Sequence, residues 1–254
     1  MGKETEKLKI TEYNQGVLSS MDILVPKEKP VTIILNDEEL VRIMITPDKI
    51  REFTLGFLYG QGIIKSLDDI KTELIGEKKG ILYIETKKQI DAKKLLSKSY
   101  LTTGCGGGVS FSQFNNIKPL EVKTNNFALE NILLLAKDFS QKGELYRSSG
   151  GFHAGGLADK NGFLYYAEDV GRHNAVDKVI GYCLIDDIKT NDKMLFTTGR
   201  IASEMIPKVA RAKIPLIISR STPTDLAVLL AQKLGLTVIG YARGQKANVY
   251  TSFC

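Results

Sequence analysis

The sequence contains little of what several familiar classes of protein need. Its 254 residues include no tryptophan, two histidines and three cysteines. It has no run of about 18 apolar residues, and residues 1–20 lack the apolar centre of a secretory signal, so we expect a cytoplasmic protein with no membrane partner. Cys105, Cys183 and Cys254 are an odd number at distant positions, which excludes a disulfide framework and a zinc-type ligand spacing.

The charge of the chain is mildly positive and spread along its length. Lys and Arg number 35 against 29 Asp and Glu, for a net charge of +6. This excess favours an anionic ligand or an acidic partner protein. Basic clusters with neighbouring aromatics, which RNA-binding proteins use for stacking, are absent from the sequence, so we expect no nucleic-acid partner.

Two regions differ in their pattern of predicted elements. Residues 1–124 contain the strand-like segments VTIILN, LVRIMIT and ILYIET, a helix starting near Pro47 and a loop with Cys105, which predicts a smaller α+β subdomain. In residues 125–254, strands alternate with helices of about 10 to 12 residues, which predicts an α/β domain with a largely parallel sheet and helices on both faces. One of these helices is expected to begin at Pro223, with Thr222 as N-cap, and to end at Gly235.

Both histidines fall in one polar stretch, GGFHAGG followed by AEDVGRHNAVDK. Histidine titrates nearest to neutral pH, so its confinement to this stretch indicates one chemical or ligand-binding site. The alternative is that His153 and His173 only brace a strand-to-helix turn. Five glycines among the polar residues favour a functional site.

The ends of several predicted strands carry glycines, hydroxyl groups and arginines. Ligands of α/β sheets collect at the carboxyl ends of strands, where helix N-termini present unpaired N–H groups. Arg172 and Arg200 suit a phosphate-bearing ligand, and Asp169 could accept hydrogen bonds from a guanine edge. The alternative is that these arginines only cap loops, because the sequence has neither a P-loop nor GxGxxG. The predicted rim consists of Glu168, Asp169, Gly171, Arg172, Thr198, Gly199, Arg200, Ser219, Ser221 and Thr222.

Cys105 is the cysteine best suited to chemistry. It lies in LTTGCGGGVS, where flanking glycines free the backbone and leave the sulfur little covered. A flexible turn without chemistry is the alternative. Cys183 falls on the apolar stripe of a predicted helix and Cys254 is the last residue, so we expect Cys183 to be a core residue and Cys254 a frayed end.

These segments resemble the FdhD group of formate dehydrogenase accessory proteins, or sulfur carriers. The resemblance covers nearly the whole chain and implies a cytidine-deaminase-like carboxyl-terminal domain without deaminase activity, in a homodimer. The segments that carry it are FTLGFLYGQGII, TTGCGGG, GGFHAGG, AEDVGRHNAVDKVIG, TTGRIASEMIPKVA and STPTDLAVLLAQKLGLTVIGYARGQKANVYT.

The resemblance also implies a function. Members of the family accept persulfide sulfur from a cysteine desulfurase and pass it to the molybdenum bis(molybdopterin guanine dinucleotide) cofactor before that cofactor enters formate dehydrogenase. By this match Cys105 bears the persulfide of a sulfurtransferase-like carrier, and the segment YARGQK binds the cofactor or GDP-like ligands. The expected cofactor-binding residues come from the two histidines, the rim and this segment. They are His153, Asp169, Arg172, His173, Arg200, Ser221, Thr222, Tyr241, Ala242, Arg243, Gly244, Gln245 and Lys246.

Two positions depart from the family pattern, and two other functions stay open. Gly108 stands where the family often has a second loop cysteine, so sulfur cannot pass between two loop thiols, although a single thiol suffices. Gln61 stands where the family usually has glutamate. One alternative is a chaperone that binds cofactor and formate dehydrogenase without sulfur transfer. The other is a zinc deaminase, which would need a carboxylate at position 155, where Gly stands, and a Pro-Cys-x-x-Cys pair.

Overall fold

The computed structural model describes residues 3–76, 80–90, 117–120 and 127–252. None of the helices within these ranges is both long and apolar enough to span a membrane. The helices are α1 Ile50–Gly60, α2 Leu129–Lys142, α3 Glu144–Ser149, α4 Arg172–Ile185, α5 Met205–Arg211 and α6 Asp225–Leu234. The strands are β1 Thr5–Asn14, β2 Val17–Pro26, β3 Lys29–Leu35, β4 Glu38–Ile45, β5 Ile70–Gly76, β6 Ile81–Thr86, β7 His153–Asp159, β8 Gly162–Asp169, β9 Met194–Thr197, β10 Leu216–Ser219, β11 Thr237–Arg243 and β12 Lys246–Val249.

The amino-terminal region contains a four-stranded sheet in the order β4-β3-β6-β5. Alternate residues of β3 and β6 are buried against α1 in one apolar core, which includes Ile33, Phe53 and Leu82. The predicted strands over VTIILN, LVRIMIT and ILYIET are confirmed, whereas β5 and the separate antiparallel hairpin β1–β2 were not predicted. Helix α1 begins at Ile50 rather than near Pro47, because Lys49 adopts a left-handed conformation with φ 53.

The carboxyl-terminal region contains a six-stranded sheet in the order β12-β11-β10-β9-β7-β8. Helices cover both faces, as predicted: α4, α5 and α6 share a core with one face, and α2 packs on the other. The sheet is mixed rather than largely parallel. Only the β9–β10 and β10–β11 pairs are parallel, because the short turns between β7 and β8 and between β11 and β12 can join only antiparallel strands. The predicted boundary near residue 124 lies outside the described residues and stays a prediction.

Helices α1 and α4 connect the two regions through an unusually close contact. A Cβ atom at Gly56 would lie 1.8 Å from the carbonyl oxygen of Asp177, and one at Gly181 would lie 1.8 Å from that of Glu52. Real Cβ atoms do not approach a backbone oxygen so closely, so only glycine fits at both positions. This contact fixes the middle of α4 against α1.

Helix α6 begins two residues later than the sequence predicts. Pro223 forms an isolated β-bridge with Ile201, which keeps residues 222–224 extended. The helix therefore starts at Asp225, and Thr224 is its N-cap, with a hydroxyl that accepts a hydrogen bond from the backbone of Ala227. The predicted end at Gly235 is confirmed, with φ 69.

Candidate functional site

Most of the expected ligand-binding residues lie along one edge of the six-stranded sheet. Strand β7 is antiparallel to β8 and β9, so its first residue lies beside the last residues of its neighbours. The residues that begin β7 or α4, or that end or follow β9, β10 and β11, therefore lie at the same edge. We call this the carboxyl edge, and its members are His153, Arg172, Thr198, Gly199, Arg200, Arg220, Ser221, Thr222, Tyr241, Ala242 and Arg243.

Hydrogen bonds join the neighbouring loops of the carboxyl edge into one frame. The hydroxyl of Thr198 accepts a hydrogen bond from the backbone N–H of Ala154 at 3.0 Å, and it lies 3.3 Å from Nδ1 of His153. Ser219 donates to the carbonyl of Gly199 at 2.6 Å. These contacts hold backbone that would otherwise move independently, so groups at this edge are pre-positioned for a ligand.

Arg172 has a shielded guanidinium edge without a hydrogen-bond partner. Its side chain lies over Gly199, where an added Cβ would be 2.8 Å from both Cβ and Cδ of the arginine. Its Nε and Nη2 atoms are shielded from solvent and make no hydrogen bond. Helix α4 has no side-chain N-cap bond and no acidic residue in its first turn. Arg172 is half-buried, and the edge formed by Nε and Nη2 is its shielded part. A shielded cationic edge at a helix N-terminus is unfavourable without an anion, and this edge of a guanidinium matches two phosphate oxygens.

The two histidines both lie close to Arg172. Burial lowers the pKa of His153, and the charge of Arg172 lowers it further. Burial also lowers the pKa of His173, against the opposing effect of Glu204. Because the ordinary pKa of histidine is already about 6.5, both rings are neutral at neutral pH. A neutral ring can both donate and accept a hydrogen bond, which suits proton exchange or ligand orientation.

Glu204 is a site residue that the sequence analysis missed. It immediately precedes α5, and its Oε1 lies 3.1 Å from Nε2 of His173. Burial alone would raise the pKa of Glu204, but the neighbouring polar groups, with His173 first, lower it to about 2. The signal in the sequence was the i, i+4 pair of Glu204 and Lys208 within the otherwise apolar segment around IPKVA.

Several other charged residues of the polar stretch are paired with each other inside the protein. Asp169 is fully buried, and its carboxylate lies 2.7 Å from Nζ of Lys178. It also accepts hydrogen bonds from the backbone of Thr46 and the side chain of Asn174. The contacts that the structure gives Asp169 are therefore internal, and its contact with a guanine edge stays a prediction.

A second buried pair lies beside the first, because Asp177 directly precedes Lys178 in α4. Both carboxylate oxygens of Asp177 accept hydrogen bonds from Nζ of Lys208, at 2.8 and 2.6 Å. We call the pairs Asp169–Lys178 and Asp177–Lys208 the buried ion-pair layer. It lies between α4, α5 and the β4–α1 connection. It therefore supports the start of α4, which is part of the carboxyl edge.

The YARGQK segment forms the end of β11, a turn and the start of β12. Tyr241 has a left-handed φ of 51, uncommon for a non-glycine residue, and the residue is 44% exposed. The guanidinium of Arg243 lies 5.9 Å from the centre of that ring and donates to the carbonyl of Arg220. An exposed aromatic ring with a neighbouring arginine can stack on a nucleobase.

The remaining predicted contacts differ in what they can offer a ligand. Ala242 is buried in the core, so only its backbone is available. The hydroxyl of Thr222 donates to the carbonyl of Pro223. The side chains of Arg200, Gln245 and Lys246 are solvent-exposed, so they are free to reach an anion. Gly244 forms the turn between β11 and β12, with φ 59.

The cysteines divide between described and undescribed residues. Cys105 and Cys254 lie outside the described residues, so the reactive role of Cys105 stays a prediction. Cys183 is a core residue, as expected, and burial raises the pKa of its thiol to about 12. In the part of the chain that the structure describes, no three His, Cys, Asp or Glu side chains are grouped closely enough to hold a metal ion.

Comparison with known proteins identifies the family. Residues 26–253 match the model of the FdhD/NarQ family. The chain is 33% identical to the sulfur carrier protein FdhD of Bacillus pumilus, over 97% of this chain and 95% of that protein. It is 34% identical to the sulfur carrier protein FdhD of Bacillus subtilis, over 98% and 96%. A crystal structure from Desulfotalea psychrophila, assigned as a formate dehydrogenase accessory protein, superimposes with a TM-score of 0.81 at 30% identity, over 98% of this chain and 97% of that one. The chain therefore belongs to the FdhD/NarQ family.

Proposed function

We propose that this protein is a sulfur carrier for the maturation of formate dehydrogenase. Cys105 accepts persulfide sulfur from a cysteine desulfurase, and the sulfur is then passed to the molybdenum bis(molybdopterin guanine dinucleotide) cofactor before that cofactor enters the enzyme. The names of the relatives support the carrier role. The observation that carries the proposal for the cargo is the shielded, unpartnered guanidinium edge of Arg172.

The loading step needs one thiolate and one donor persulfide. The Cys105 thiolate attacks the outer sulfur of the donor, a new S–S bond forms at Cys105, and the donor's S–S bond breaks to leave the donor thiolate. No net oxidation occurs, because the sulfane sulfur moves with its oxidation state unchanged. A single cysteine is sufficient, so Gly108 at the second position of the loop does not prevent this step.

The carboxyl edge suits the nucleotide ends of the proposed cargo. Arg172 and Arg200 offer donors to phosphate oxygens. Tyr241 and Arg243 offer a stacking surface to a guanine. The fit supports GDP as a simpler ligand of the same edge, and the strand order β8-β7-β9-β10-β11 with helices on both faces supports the cytidine-deaminase-like arrangement. The homodimer and the cytoplasmic location stay predictions of the family resemblance.

Sulfur loading tests this function directly. Purified protein is incubated with a cysteine desulfurase and cysteine, and intact-mass spectrometry measures the mass gain. We expect the wild type and the Cys183→Ala control to gain one sulfur atom, and Cys105→Ala to gain none. A sulfur gain in Cys105→Ala, or none in the wild type, would overturn the carrier function. GDP binding by a wild type that never gains sulfur would instead indicate a cofactor chaperone.

A further inference from the structure

Unpaired buried polar atoms concentrate near the start of α4. In the described ranges, the shielded side-chain nitrogen and oxygen atoms without a hydrogen bond belong to Gln61, Arg172, His173 and Glu204. Arg172 and His173 are consecutive, and Glu204 contacts His173, so we call these three the Arg–His–Glu cluster. Native proteins pair nearly all buried polar atoms, and several unpaired atoms in one place indicate a missing ligand group.

Glu204 and His173 form the inner part of this cluster. Their side chains are 8% and 9% exposed, and Oε1 of Glu204 lies 3.1 Å from Nε2 of His173. The two atoms are not aligned for a hydrogen bond. The other carboxylate oxygen accepts a hydrogen bond from Ser203 at 3.3 Å. The carboxylate is therefore held beside the imidazole and needs only a small rotation to bond it.

The charges around His173 make its protonation sensitive to a bound anion. The charged and titratable groups that act on it are Glu204 just before α5, Lys208 in α5, Arg172 and Asp177 in α4, and His153 in β7. Burial is the first cause that lowers the pKa of His173, and the charges of Lys208 and Arg172 add to it. An anion that neutralises Arg172 removes part of this repulsion, and the imidazolium then has the Glu204 carboxylate as its partner.

We propose that the Arg–His–Glu cluster is a proton-coupled binding site for a phosphate group. Two phosphate oxygens accept hydrogen bonds from Nε and Nη2 of Arg172, and His173 takes up one proton from solvent as the phosphate binds. Glu204 is a positioning residue that touches no ligand and acts by orienting and stabilising the His173 imidazolium. The inference rests on the proposed function in one respect, namely that the phosphate belongs to the guanine dinucleotide of the cargo.

Calorimetry measures this proton uptake. GDP is titrated into the protein at one neutral pH in buffers of different ionisation enthalpy, and the slope of the observed enthalpy gives the number of protons bound. The wild type should take up a substantial fraction of one proton, and its affinity for GDP should rise as the pH falls. Glu204→Gln and His173→Gln should both lose most of the uptake, and their affinity for GDP should vary little with pH.

Control ligands and a control variant identify the source of the effect. Inorganic pyrophosphate should produce the same uptake with weaker binding, whereas uptake caused by guanosine would contradict a phosphate site. Glu130→Gln makes the same chemical change at an exposed position and should behave as the wild type. Absence of GDP and pyrophosphate binding, GDP binding without proton uptake, or full uptake in Glu204→Gln would each overturn the proposal.

Two further readouts distinguish a failure of the proton coupling from a variant that does not fold and from a failure of the carrier function. If Glu204→Gln does not fold, the His173→Gln variant still shows whether His173 is the group that takes up the proton. Sulfur loading of Cys105 needs no GDP, so a wild type that loads sulfur but binds GDP without proton uptake refutes only the proton coupling. A wild type that shows the coupling but loads no sulfur refutes only the carrier function.

Discussion

The buried ion-pair layer and the Arg–His–Glu cluster lie side by side on the first turns of α4, yet they differ in how their charges are satisfied. In the layer, Asp169 and Lys178 are fully buried and lie 2.7 Å apart. In the cluster, two nitrogens of Arg172 are shielded from solvent with no partner. Charges of the first kind complete their interactions during folding. Charges of the second kind need a ligand to complete their interactions.

Within this single polar stretch, some charged residues support the fold and others are available for binding. The layer contacts the β4–α1 connection through Thr46 and α5 through Lys208, so it holds the two regions together. The cluster opens onto the carboxyl edge beside Gly199. We therefore expect changes in the layer to act mainly on stability and changes in the cluster to act mainly on binding.

The largest effect on stability should come from breaking the layer. Lys178→Met leaves the Asp169 carboxylate buried without its cation, and such a loss typically costs about 3–5 kcal/mol of unfolding free energy. Lys7→Met removes the exposed partner of Asp22 and should cost less than about 1 kcal/mol. Urea unfolding of both variants measures the difference. Equal, small losses would show that the layer does not stabilise the fold.

A smaller loss should follow from disturbing the helix contact beside the layer. Gly56→Ala forces a methyl group against the backbone of α4, where it would lie 1.8 Å from the Asp177 carbonyl oxygen. We expect a cost of about 1–3 kcal/mol, because the two helices must separate. Gly60→Ala is the matched control in the same helix, since its methyl would meet the side chain of Lys208 at 3.0 Å. Thermal unfolding should rank Gly56→Ala as the less stable variant.

The smallest effect should be the dependence of stability on pH. The lowered pKa values of His153 and His173 mean that the unfolded chain binds more protons than the fold once the pH falls below about 6.5. Stability should therefore fall as the pH decreases from about 7.5 to about 5.5. Glu204, with a pKa of about 2 in the fold, contributes only at lower pH. In His173→Gln the decrease should be smaller, and an unchanged slope would contradict a neutral buried His173.

The sequence predicted which residues meet at one edge of the sheet better than it predicted the contacts that each of them makes. The alternation of strands and helices placed Arg172, Thr198 and Ser221 at one edge, because strand ends meet wherever such units form a sheet. The density of charge in EDVGRHNAVDK did not show that Asp169 and Lys178 pair with each other. Asp169 also accepts hydrogen bonds from Asn174 and from Thr46. Thr46 is 123 residues away in the sequence, so its contact depends on how α1 and α4 pack.

The mixed sheet and the start of α6 were missed for local reasons. The turn between β7 and β8 is short and makes a hairpin, and β7 lies between β8 and β9, antiparallel to both. The bridge between Pro223 and Ile201 delays α6 by two residues. Neither feature leaves a pattern of hydrophobic residues, which is the main signal for secondary structure in a single sequence.

The role of Arg172 in binding phosphate is tested most directly by measuring GDP affinity and unfolding free energy on the same preparation of Arg172→Met. We expect the affinity to fall by about tenfold or more, since hydrogen bonds to a charged group are lost. The unfolding free energy should stay the same or rise by about 0.5–2 kcal/mol, because two shielded nitrogen atoms without hydrogen-bond partners are removed. The exposed Arg147→Met serves as the control and should change neither quantity. Unchanged GDP affinity together with a loss of stability would contradict the account, because Arg172 would then support the fold rather than bind the phosphate.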